Sequence, residues 1–163
     1  MQLLVRPLTA AAFAPYGHVV QVPAGTGRLI NGGTTERFDL VPDMQLHTAG
    51  SHAMLALFRA QARRFPHRVA AMERHALGSQ TFVPLGQKRF VLVVAAAGLA
   101  PVATSLAAFM TDGEQGVVLA PGTWHHPLLA LDAGDYVVLE RAAASDDCDV
   151  CTLVTPVSVT LPA

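Results

Sequence analysis

The sequence predicts a mainly β protein, an antiparallel β-barrel with one or two short helices, as a single domain over residues 1–163. Three observations carry this expectation. Short apolar runs recur about every 8–12 residues, broken by Gly, Pro or Asp, which is the spacing of a sandwich or barrel. The stretches between them are too short for the crossover helices that parallel pairing requires. Only one stretch near the N-terminus reads clearly as a helix.

That stretch is "LTAAAFAPYG", where Thr9 can cap a short helix and Pro15 with Gly17 ends it. "TTERFDLVP" suggests a second short turn. β signals follow. "AMLALFRAQ" is an apolar strand ending at Arg59. "HRVAAMERH" lies between Pro66 and Gly78, leaving little room for a helix, and is assigned as a strand. "TFVPLG", "RFVLVVAAA", "LAAFMTDG", "GVVLAPG", "WHHPLLAL" and "DYVVLERA" complete the series.

Composition narrows the function. Charged residues make up 14% and hydrophobic residues 52%, against a usual charged share of about 25%. Many apolar strand faces therefore need covering, and a second copy of the chain is the economical cover. A homodimer is expected. The net charge of −1 and the brevity of Arg63-Arg64 argue against a nucleic-acid partner. The most apolar run, "FVLVVAAAGLAPVA", is broken by Gly98 and Pro101 and falls short of the roughly 20 residues of a membrane helix. Arg6 and Pro7 interrupt what a secretory signal would keep apolar, so a cytoplasmic protein is expected. Cys148 and Cys151 lack the second ligand pair of a zinc site and are read as reduced cysteines near a C-terminal strand.

Two blocks carry chemistry. "GVVLAPGTWHHPL" places Gly116, then four residues, the Pro121-Gly122 turn, two residues and His125, and "MERHALGSQTFVPLG" holds Glu73, His75, Ser79 and the closing Gly86. Together they resemble the cupin family, a double-stranded β-helix with two metal-binding motifs. In the second motif Pro121 adjoins Gly122 instead of standing one residue away. In the first, Ser79 falls where the metal-binding Glu would be, which puts a standard four-ligand centre in doubt. Carboxylate and imidazole ligands at Glu73, His75 and His125 would suit Ni²⁺, Mn²⁺ or Zn²⁺. No organic cofactor is expected.

A closer resemblance runs from Ile30 to Val150. "INGGTTERFDL", "LFRAQ", "MERHALGSQTFVPL", "FMTDGEQGV", "GTWHHPL" and "SDDCDV" stand in the order found in the ureidoglycolate lyase family. The resemblance implies a cupin-like, homodimeric, cytoplasmic enzyme that splits (S)-ureidoglycolate into glyoxylate and urea. Amide hydrolysis of the same substrate, and a non-catalytic cupin that binds a small carboxylate, are the competing readings.

The residues suit that chemistry. Ureidoglycolate carries a hydroxyl, a carboxylate and a ureido nitrogen on one carbon. Its cleavage needs a base for the hydroxyl proton, an acid for the departing nitrogen and donors for the carboxylate. Histidine serves either proton role, and His125, His75 and Glu73 are the candidate catalytic set. Glu73 and His75 lie two apart and share a strand face; His125 and His126 take opposite faces. His125 matches the cupin position that points inward, whereas His126 and Trp124 are expected to be packing or interface residues. Ser79 and Gln80 offer neutral hydrogen-bonding groups for a urea moiety. Arg37, Arg59 and Arg141 are candidate carboxylate anchors. Arg59 is favoured, the alternative being an ion pair with Glu36, Asp135 or Glu140. Asn31, with Gly32 and Gly33, forms either a simple turn or a loop reaching the pocket.

Overall fold

In the computed structural model, which describes residues 1–48, 50–145 and 147–163, the chain starts with β1 (Gln2–Leu4) and β2 (Arg6–Pro7). One helical turn, α1 (Ala10–Phe13), follows. Thr9 caps it as expected, its hydroxyl accepting from the Ala12 amide at 3.2 Å. β3 (Gly17–Val20) comes next, then β4 (Arg28–Ile30) and β5 (Thr35–Arg37), which pair only with each other. The second turn lies earlier than expected. It is a 3-10 turn at Asn31–Gly33, where Gly32 and Gly33 take positive φ, so the reversal falls on the glycines and leaves Thr35–Arg37 extended.

The remaining strands are β6 (His52–Ala60), β7 (His67–His75), β8 (Gln80–Pro84), β9 (Phe90–Ala95), β10 (Ala107–Met110) and β11 (Gly116–Leu119). They are followed by β12 (Trp124–His125), β13 (Leu129–Ala130), β14 (Gly134–Ala142) and β15 (Cys148–Thr160). The run "WHHPLLAL" is thus two short strands instead of one. Pro127 has no amide to donate to a ladder, and pairing lapses around it.

An eight-stranded sheet runs β1-β15-β7-β12-β9-β10-β2 with β13 also on β9, and a five-stranded sheet runs β3-β11-β8-β14-β6. They face each other as a nearly closed, cupin-like barrel. Most pairs are antiparallel, as expected. The two N-terminal strands depart from this, with β1 parallel to β15 and β2 parallel to β10.

Strand alternation sorts the core into two clusters. Phe90, Leu92 and Val94 of β9 point inward against Phe82, Val117 and Tyr136 of the opposite sheet. Val91 and Val93 point outward onto Met72, Trp124 and Leu153. Every residue of β9 is buried, so this strand is the common wall of both clusters. Each large side chain so buried contributes about 1.5–3 kcal/mol. Trp124 belongs to the outer cluster, with the Arg74 guanidinium 4.6 Å from its ring centre.

β6 differs. It is the edge of the five-stranded sheet, and Leu55 and Leu57 are 70% and 66% exposed. Among the described residues, no helix is long and apolar enough to cross a membrane.

Candidate active site

The centre of the site is a cross-strand pair. His125 of β12 stands opposite Glu73 of β7 on one side and Val94 of β9 on the other. Val94 belongs to the inner cluster, so His125 faces the barrel interior. The Pro121-Gly122 turn fixes that placement. Gly122 takes φ +77°, and its amide donates to the carbonyl of His75 at 2.7 Å, which stitches the turn to the end of β7. A positive φ at this position favours glycine. Thr123 anchors the next step, its hydroxyl donating to the Tyr16 carbonyl at 3.0 Å.

The carbonyl of Thr123 also sets the imidazole. His125 Nδ1 lies 3.0 Å from Thr123 O. A carbonyl only accepts, so Nδ1 carries the proton and the neutral ring leaves its lone pair on Nε2. Nε2 is buried without a hydrogen-bond partner among the described residues, and Glu73 Oε1 lies 3.5 Å away. That is an ion-pair distance at which no hydrogen bond forms. Once protonated, the His125 imidazole holds the Glu73 carboxyl below the usual carboxylate range, against the opposing effect of partial burial. Glu73 is therefore an anion near neutral pH. A carboxylate oxygen and an imidazole lone pair face each other, and the arrangement is favourable only with a proton or a cation between them.

His75 completes the set. Its ring stacks on that of His125 with centres 5.6 Å apart, and one ligand atom from each of Glu73, His75 and His125 lies within 4.8 Å of the others. Behind it, His75 Nδ1 is 3.6 Å from Asp147, which is also 3.6 Å from the Arg141 guanidinium and accepts from the Leu77 amide. Asp147 was not legible as a site residue in the sequence. Its only signal is membership of "SDDCDV", since its approach to His75 depends on the pairing of β15 with β7.

The other candidates are distributed unevenly. Gln80 is buried on the inward face of β8, donating through Nε2 to Glu140 at 2.8 Å while its Oε1 has no partner among the described residues. Ser79 is buried and its hydroxyl donates to the Met44 carbonyl, so it ties down the 38–46 segment. Arg59 lies on exposed β6 in a two-bond ion pair with Asp135, one of the pairs considered from the sequence. Arg37 pairs with Asp39, and Arg141 with Asp147 and Thr48. Asn31 sits at the exposed ribbon turn, where its amide donates to Thr35. Cys148 and Cys151 stand opposite His75 and Met72. Three residues apart on a strand, they project to opposite faces and form no chelating pair.

His126, expected as a packing or interface residue, packs edge to face on His67. β12 ends at His125, and His126 lines a solvent-accessible cavity together with Glu73 and His67. Its ring is fixed by Nδ1 donating to the Pro127 carbonyl at 2.8 Å, and burial holds its pKa below the usual value.

These features define a class: a β-barrel whose interior carries a compact imidazole–carboxylate centre, fit to move a proton or to hold a divalent cation. The profile of the ureidoglycolate lyase family matches residues 1–160. The chain is 39% identical over 148 residues to the ureidoglycolate lyase of Pseudomonas fluorescens (strain Pf0-1), covering 90% of this chain and 89% of that one. It is 45% identical over 150 residues to the ureidoglycolate lyase of Burkholderia cepacia, covering 90% and 84%. The chain belongs to the ureidoglycolate lyase family.

Proposed function

We propose that this single-domain protein is a carbon–nitrogen lyase that splits (S)-ureidoglycolate into glyoxylate and urea in the cytoplasm. The observation that carries the reading is the buried, unpartnered Nε2 of His125 facing the Glu73 carboxylate. A substrate hydroxyl supplies the missing proton. As the hydroxyl proton passes to Nε2, the C–O bond becomes a carbonyl and the C–N bond breaks, its electron pair leaving with nitrogen. Glu73 then stabilises the imidazolium at ion-pair distance. His75, held by Asp147, protonates the departing nitrogen in this reading, which yields neutral urea. Gln80 Oε1, buried and without a partner among the described residues, accepts a ureido N–H in this reading.

The same three side chains fit a divalent ion. The His125 ring donates its far N–H to a backbone carbonyl, the usual support of a metal-bound histidine. Glu73, His75 and His125 would hold Ni²⁺ or Mn²⁺, and the ion would supply a positive charge that acidifies the substrate hydroxyl.

A homodimer accompanies this reading. Leu55 and Leu57 project from one face of a nine-residue edge strand, a surface that a second copy covers. The activity is tested by incubating purified protein with ureidoglycolate and identifying the nitrogen product. Urea is expected, with glyoxylate trapped as its hydrazone. Direct ammonia release would assign an amidohydrolase instead, and absence of turnover with retained glyoxylate binding a carboxylate-binding cupin.

A further inference from the structure

We propose that Arg63, in the connector between β6 and β7, anchors the substrate carboxylate in a cavity that opens beside Glu73. The identity of that carboxylate rests on the ureidoglycolate reading; the anion site itself does not.

The cavity has a volume of about 430 Å³, and Arg63, His67, Arg68, Ala71, Glu73 and His126 are among its lining residues. Glu73 belongs both to this wall and to the buried centre. A small molecule in the cavity with its reacting carbon at Glu73 therefore presents its remaining groups to Arg63, His67 and His126. Within the centre itself there is no fixed cation, because its three side chains are a carboxylate and two imidazoles. A substrate whose carboxylate sits one bond from the reacting carbon needs one close by.

Most other arginines near either sheet are already engaged. Arg37, Arg59, Arg74, Arg89 and Arg141 are paired with Asp39, Asp135, Asp149, Asp132 and Asp147. Among the described residues, Arg63, like Arg68 on the same wall, has no acidic partner, although it lines a cavity whose wall includes a carboxylate. Its backbone is nevertheless fixed, the amide donating to the Ala130 carbonyl at 2.8 Å. That bond pins the connector against β13, just beyond the His126-Pro127 step. The His67 and His126 rings meet edge to face with centres 5.4 Å apart and form the floor beside the guanidinium. Burial first, and then the charges of His126 and Arg63, hold the His67 imidazole below its usual range. Near neutral pH the floor is therefore uncharged there, and the guanidinium keeps its charge for an anion. His126 Nε2, left as an acceptor by the bond from Nδ1 to Pro127, faces the polar N–H or O–H groups of the same molecule.

The test compares wild type, Arg63→Ala, Arg63→Lys and the neighbouring Arg64→Ala by urea release against ureidoglycolate concentration. Glyoxylate binding is measured in parallel by titration calorimetry, and thermal melts establish that each variant is folded. Loss of a charge-assisted carboxylate contact predicts a rise of about 10–100-fold in both KM and the glyoxylate Kd for Arg63→Ala. Turnover at saturation should change by less than about threefold, since the anchor binds ground and transition states alike. Arg63→Lys should recover part of the loss, and Arg64→Ala should match wild type. If wild type releases urea while Arg63→Ala keeps its KM and glyoxylate affinity, the anchor is refuted and the lyase reading stands. If wild type releases no urea but loses glyoxylate on Arg63→Ala, the reaction is refuted and the anion site stands.

Discussion

The Nε2 atom of His125 and the Oε1 atom of Glu73 face each other across 3.5 Å, while Nδ1 of the same ring is fixed on the Thr123 carbonyl. His125 is thereby set in one tautomer with its lone pair directed at the Glu73 carboxylate. His125→Ala should lower turnover by about two to four orders of magnitude, the range of a lost acid–base group. His126→Ala should be far milder on turnover, because its lone pair faces the cavity and not the buried centre. Single-turnover assays on variants with unchanged melting temperatures check both.

Three candidate ligands, with Ser79 where a cupin would place its metal-binding Glu, would make a weak divalent site at most. Exhaustively chelated protein assayed in metal-free buffer should keep measurable turnover, with Ni²⁺ or Mn²⁺ tuning its rate. Complete loss restored by one equivalent of either ion would instead make the ion essential.

A face built from Leu55 and Leu57 on an edge strand should seat a second copy. Sedimentation at low micromolar protein should give twice 17.2 kDa. Leu57→Glu should shift the species toward the monomer by burying an unpaired charge at the contact. A wild-type monomer under these conditions would remove this face from any interface.

Arg89 grips Asp132 through its side chain and its backbone amide, which lowers the Asp132 pKa to about 2. The folded value lies below the unfolded value of about 3.9. The resulting stabilisation is present in full above that unfolded value and is lost as pH falls toward about 2. The difference in Tm between wild type and Asp132→Asn should therefore be constant near neutrality and shrink between about pH 4 and pH 2.

Gly78 leaves room for a buried arginine. A Cβ there would come within 2.6 Å of Arg141 Cβ and 3.0 Å of its Cδ, and the near end of that side chain cannot swing away. Gly78→Ala should cost about 1–3 kcal/mol by overpacking. It should also lower turnover, since Arg141 and His75 share Asp147. Denaturant melts and urea-release assays measure the two effects.

The barrel was legible because its strands alternate or run apolar between clear turn residues. The inward placement of His125 was legible through its match to the inward-pointing histidine of the cupin motif. Side chains two apart on one strand, Glu73 and His75, were legible for the same reason. What the sequence did not reveal lies across strands. Asp147 reaches His75 only through the pairing of β15 with β7, and Arg63 reaches the cavity only because Ala130 holds its connector. Arg59 looked costly to leave unpaired at a strand end, yet the register of β6 on β14 sets Asp135 directly opposite. The adjacency of His125 and His126 suggested opposite strand faces, and the regular strand that would hold both ends at His125.

The parallel pairing of β1 with β15 sets Gln2 against Ser158. In vectorial synthesis β1 leaves the ribosome long before β15, the strand it pairs with. Pairings this distant in sequence close late and carry a large loop-closure cost. The outer cluster over β9 is incomplete until then, because Val157 and Val159 of β15 form part of it. A nascent chain stalled before β15 would therefore expose Val91, Val93 and Met72, and chaperone engagement should persist until β15 emerges.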